Sequence, residues 1–141
     1  MNINIRLDGL DGVLKAVSGF EGRQLQNFRE GLEDGGQIVE TEAKANCEVD
    51  TGQLRNSITH RMEGLSAVIG TNNDHAVYNE FGTGAKGDPS VAHTSKKQWT
   101  YYNPRTGRFV TTSGMAPRPF LVPALKNNKD NIVNAIKNRM R

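Results

Sequence analysis

Apolar and polar positions alternate at the start of the chain, where Ile3, Ile5 and Leu7 are separated by Asn4 and Arg6. A period of two predicts a short, half-buried strand. After Asp8-Gly9 and Asp11-Gly12 the period lengthens, and Leu10, Val13, Leu14 and Val17 recur with helical spacing. Beyond Ser18-Gly19 the pattern resumes at Phe20 and runs through Leu25, Phe28, Leu32, Ile38, Val39, Ala43 and Ala45. The spacing predicts a short helix, a break, and a long amphipathic helix to about Asn46. Gly31, Gly35 and Gly36 lie inside it, each weakening it by roughly 1 kcal/mol relative to Ala, or else admitting a closely packed neighbour.

Ser57 to Met62 and Ala67 to Thr71 read as two strands joined by a turn at Glu63-Gly64-Leu65-Ser66. His75 to Phe81 is ambiguous between a helical turn and an extended piece. Aromatic and β-branched residues at 98–102 and 108–112 flank Asn103-Pro104-Arg105-Thr106-Gly107, which predicts a hairpin. From Phe120, the spacing of Leu121, Leu125, Ile132, Val133, Ile136 and Met140 predicts one C-terminal helix, with Pro123 in its first turn. The predicted class is α+β: a small antiparallel sheet packed by a long N-terminal helix and a C-terminal helix. A single domain over 1–141 is expected, with a loop and hairpin arm at about 82–117. A loop of that length is a cost to a small domain unless something outside it supplies order.

With 35% hydrophobic and 6% aromatic residues in 141, the core must be thin. Burial of surface in an oligomer would suit such a chain. The net charge of +3 conceals a division. Residues 1–85 hold 7 Lys or Arg against 13 Asp or Glu, whereas residues 86–141 hold 11 against 2. The basic half invites a nucleic-acid reading. It equally suits head-to-tail contact between subunits. The single Cys47 excludes an intrachain disulfide and a multi-cysteine metal site, and points to a reducing compartment. The N-terminus lacks the apolar run of a signal peptide, and no span approaches membrane length.

Val49-Asp50-Thr51-Gly52 is similar to the loop in which the paired aspartates of dimeric aspartic proteases share a proton. Gln53 after the glycine and Asn46-Cys47-Glu48 before it depart from that pattern. The competing reading is a turn in which Asp50 or Thr51 caps one helical turn, 51–55. His60, His75 and His93 show no metal-ligand spacing and read as solvent-facing or loop residues. Gly82, Gly84 and Gly87 lack the Gly-Lys-Ser/Thr ending of a phosphate loop, and read as turns. Lys96, Lys97, Trp99, Tyr101, Tyr102, Arg105 and Arg108 interleave cations with aromatics. That composition suits a platform for single strands. It is equally that of an interface hot spot, which the overlap in residue types favours here. Lys126, Lys129, Lys137, Arg139 and Arg141 read as the solvated face of the last helix.

Three blocks in fixed order carry a family resemblance: Val49-Asp50-Thr51-Gly52-Gln53-Leu54-Arg55-Asn56-Ser57-Ile58, then Ile69-Gly70-Thr71 to Tyr78-Asn79-Glu80-Phe81-Gly82-Thr83-Gly84, then Pro117-Arg118-Pro119-Phe120-Leu121-Val122-Pro123-Ala124-Leu125. Together they resemble the tail-completion, or head–tail joining, proteins of long-tailed phages and prophages. The resemblance implies a non-enzymatic virion protein, assembled in the host cytoplasm, that forms a ring, typically a hexamer, at the neck. Its implied partners are further copies of itself, the tail tube protein and the head-side connector. DNA would pass through the ring with at most non-specific contact, and no cofactor, metal or membrane is implied. On this reading Asp50, Thr51, Gly52, Leu54 and Arg55 form a structural turn, with Leu54 and Ile58 pointing into the core. Glu80, Phe81, Gly82, Gly84, Pro117, Arg118, Pro119 and Phe120 anchor the loop, with Phe81 buried. The cationic aromatic hairpin is the expected subunit or tail interface.

Overall fold

The computed structural model describes residues 3–7, 22–48, 52–90 and 96–141. The expected short helix at 10–17 and His93 lie outside the described residues, as do Asp50 and Thr51. The chain divides into two compact units, Met1–Asn73 with Phe120–Arg141, and Asp74–Pro119. The α+β class holds.

The first unit pairs three antiparallel strands with a layer of helices. Strands β1 (Ile3–Leu7), β2 (Thr59–Glu63) and β3 (Ser66–Thr71) form a sheet in the order β1-β3-β2. Ile5 and His60 both oppose Ile69, while Leu7 and Met62 oppose Ala67. Because side chains alternate along a strand, these residues share one face. Helix α1 (Gly22–Asn46) covers it, and a β-carbon on Gly36 would come within 3.2 Å of the Ala67 side chain. Phe28, Leu32, Val39 and Ala43 of α1 are buried with Ile58, Ala67 and Ile69, forming the core. On the other face, Val68 is buried between its register partners Arg6 and Arg61. Their guanidiniums bind the two carboxylate oxygens of Glu63 at 2.7 and 2.9 Å, which lays their aliphatic stems beside the valine.

The C-terminal segment forms two helices where one was expected, α4 (Leu121–Lys126) and α5 (Lys129–Arg139). The break lies at Asn128, which is buried. Its Nδ2 donates to the Ala124 carbonyl at 2.8 Å and to the Glu42 carboxylate of α1. A side-chain amide that binds nearby backbone competes with the helical ladder, and here it stops one helix before the next begins. Pro123 does sit in the first turn of α4. Helix α5 packs along α1 at Gly31 and Gly35, so these glycines do admit a close neighbour: a β-carbon on Gly35 would stand 3.0 Å from Ile132 Cγ2. Arg139 closes the pair through Asp34 at 2.7 Å and Glu30 at 3.3 Å.

The second unit begins with helix α3 (His75–Phe81), which resolves the ambiguous segment as helical. Strand β4 (Thr83–Gly84) pairs with β7 (Gly114–Met115), and between them β5 (Trp99–Asn103) and β6 (Arg108–Thr112) form the expected hairpin.

Candidate interaction surface

The turn that leads into the sheet is a single helical turn, α2 (Gln53–Ser57), started by Gly52. Gly52 has φ 79 and stands at the N-cap with no side-chain cap bond, and its carbonyl accepts the Asn56 N–H at 2.9 Å. Arg55 donates from Nε to the Lys44 carbonyl at 3.0 Å, binding this turn to the last turn of α1. Ser57 Oγ lies 2.5 Å from Thr71 Oγ1, joining the turn to the end of β3. Ile58 is fully buried as expected, whereas Leu54 is half-buried.

His60 corrects its expected place in solvent. It lies on the helix-facing side of β2, half-buried, with Nδ1 against the Glu40 carboxylate, while Lys44 holds the other Glu40 oxygen at 2.7 Å. Burial pushes the Glu40 carboxyl upward, but the bonds and charges of Lys44 and His60 outweigh it and hold the group below its ordinary value. Nothing in sequence spacing joins residues 20 positions apart on a helix and a strand.

The loop anchors assemble within the second unit, Phe120 excepted. Gly82, with φ 75, ends α3 by donating its N–H to the Tyr78 carbonyl at 2.8 Å. A β-carbon there would fall 2.5 Å from the Met115 oxygen and 2.8 Å from the Pro117 nitrogen, so only glycine fits between the two ends of the loop. Gly84 receives the Trp99 ring in the same way, 2.8 Å from an added β-carbon. The Arg118 N–H meets the Asn79 carbonyl at 2.6 Å, and Asp88 N–H meets the Phe81 carbonyl at 2.7 Å. Pro117, Arg118 and Pro119 are exposed. Phe120 is buried in the first unit, its carbonyl accepting from Asn46 Nδ2 at 3.4 Å. The expected burial of Phe81 is corrected: Ala76 and Glu80, four apart on α3, form its buried side, and Phe81 is half-buried. Glu80 keeps 3% of its surface.

On the hairpin the pairing Tyr102↔Phe109 and Thr100↔Thr111 fixes which residues share a face. Tyr102, Phe109, Thr100 and Thr111 are all exposed on one side. Trp99, Tyr101 and Val110 take the other, where Trp99 is half-buried against Gly84. Lys96, Lys97, Arg105 and Arg108 are all exposed. The sequence predicts the hairpin that carries Trp99, Tyr101, Tyr102 and Arg108, but its candidate set omits Phe109, the most exposed aromatic among the described residues at 76%. Its pairing opposite Tyr102 is the signal that a register would have supplied.

The described residues contain no group of three or more His, Cys, Asp or Glu able to hold a metal ion. No helix among them is long and apolar enough to cross a membrane. Residues 15–82 match the family model of HK97-gp10-like proteins, described as "Bacteriophage HK97-gp10, putative tail-component". The match takes in α1, the α2 turn, β2, β3 and α3, a little under half of the chain, and stops before the hairpin. Over that stretch the chain is similar to a family of phage tail components, in agreement with the tail-completion resemblance of the three sequence blocks. No curated protein and no solved structure matches the chain.

Proposed function

We propose that this chain is a non-enzymatic structural protein of a phage virion, a tail component that forms a ring at the neck. The ring completes the tail end and joins it to the head connector, and DNA passes through it. The observation that carries this reading is the family match over the helix–sheet unit. The exposed cationic and aromatic hairpin outside the match supports it, because such a ribbon suits contact with other protein subunits. The partners on this reading are further copies of the chain, the tail tube protein and the head-side connector. The DNA contacts are non-specific. Gly52 and Arg55 serve as structural residues on this reading: Gly52 starts α2, whose Arg55 binds the end of α1.

The test is a phage lysate made without this protein. The reading predicts filled heads and separate tails, which join and become infectious when the purified protein is added. Intact infectious particles in its absence would overturn the neck assignment.

A further inference from the structure

We propose that the hairpin is the element of this chain that binds DNA. Arg105 and Arg108 at its tip and Lys96 and Lys97 at its base would hold backbone phosphates of a duplex without reading sequence, an inference that rests on the DNA-channel reading above. The two units differ sharply in charge. The unit Met1–Asn73 with Phe120–Arg141 holds 12 Lys or Arg and 12 Asp or Glu, so it is balanced. The unit Asp74–Pro119 holds 6 against 3, so the whole net charge of +3 belongs to it. Of its acids, Glu80 is buried, and Asp74 and Asp88 precede the hairpin in sequence. No acid occurs between Asp88 and Asp130. The first unit of a second copy, being balanced, presents no net counter-charge to this arm. A polyanion does.

The ribbon places its cations at two ends. Lys96, Lys97, Arg105 and Arg108 are all exposed. At the tip, Asn103 closes the turn: its Oδ1 accepts the Arg105 N–H at 3.0 Å and its carbonyl accepts the Gly107 N–H at 2.9 Å. Gly107, with φ 66, lets the chain reverse there, and Arg108 returns opposite Asn103 in the register. Arg108 lies on the same side of the ribbon as Tyr101, which is 44% exposed. A tyrosine hydroxyl is itself a donor to phosphate oxygen. Lys96 and Lys97 stand just before β5, at the other end. The rise along a five-residue strand sets the two ends about 17 Å apart, so they reach different phosphates. Several separate phosphate contacts are what give sequence-independent duplex binding its strength. The uncharged side, Thr100, Tyr102, Phe109 and Thr111, takes no part in this contact.

Fluorescence anisotropy of labelled duplexes of mixed sequence, titrated with the full chain at several salt concentrations, tests this. Four phosphate contacts predict that affinity falls about a hundredfold between about 50 and about 200 mM salt, alike for two unrelated sequences. Arg105→Gln with Arg108→Gln, shown to be folded by circular dichroism, should bind more weakly and lose only about tenfold over that range. Lys126→Gln with Lys129→Gln, which removes two exposed cations of the balanced unit, should keep the wild-type salt dependence. A hairpin variant with the wild-type salt dependence, or an equal loss in the Lys126 and Lys129 variant, would overturn the assignment. Absence of duplex binding by a protein that does join heads to tails would overturn the hairpin assignment alone and leave the arm a protein contact. Duplex binding by a protein that leaves heads and tails separate would overturn the neck reading instead.

Discussion

A β-carbon built on Gly31 of α1 would stand 2.7 Å from the Cα of Ile136 on α5, closer than side chains approach backbone in folded proteins. The two helices meet there with nothing between them. The gain of about 1 kcal/mol in helix propensity from Gly to Ala is smaller than the 1–3 kcal/mol typical of overpacking. Gly31→Ala should therefore lower the melting temperature, read by circular dichroism. Gly22→Ala, with nothing within 4 Å of the added carbon, should leave it unchanged or raise it.

Glu40 makes part of the stability depend on pH. Its carboxyl lies below its ordinary value of 4.5 because Lys44 and His60 outweigh the burial that opposes them. A group depressed on folding binds fewer protons in the native state, so its contribution is present above the unfolded value and is lost as pH falls through the folded one. Denaturation followed from pH 7 to pH 3, about and below that value, should show stability declining. Glu40→Gln should flatten this acid limb. Glu63, depressed by Arg61 and Arg6, adds to the same limb in both proteins and so cancels in the comparison.

Gly82→Ala should release the two ends of the loop from each other. Gly82 has φ 75 and ψ −175, a region that only glycine enters readily and that costs an L-residue about 1–3 kcal/mol, and the added carbon would press on the Met115 and Pro117 backbone. Limited proteolysis should then cut between residues 85 and 113 faster than in wild type. Equal cutting would show that the β4–β7 pairing does not depend on this glycine.

Cys47 is buried, and that burial raises its thiol above the ordinary range. A thiol reagent should modify it slowly in the native protein at pH 7, and rapidly in denaturant.

Period and turn chemistry made much of the fold legible. The spacing from Phe28 to Ala43 gives α1, the alternation Ile3-Ile5-Leu7 gives β1, and Asn103 to Gly107 gives the hairpin turn. The break at Asn128 was not legible, because the apolar spacing from Leu121 to Ile136 continues through it. What stops the helix is the Asn128 amide, which takes the Ala124 carbonyl and is held in place by Glu42, more than 80 positions away. Likewise the sequence leaves α3 ambiguous, and of the two anchors Glu80 and Phe81 it assigns burial to the more apolar Phe81, whereas Glu80 is the buried one. The candidate surface was legible as composition, but its sidedness was not: only the register Tyr102↔Phe109 separates an exposed face from the one that holds Trp99.

Light scattering on the purified 15.5 kDa chain over a wide range of concentration tests the central claim most directly. A structural ring protein should give one discrete mass, several times that of the chain, that holds as concentration falls into the micromolar range. A mass equal to one chain throughout would contradict it.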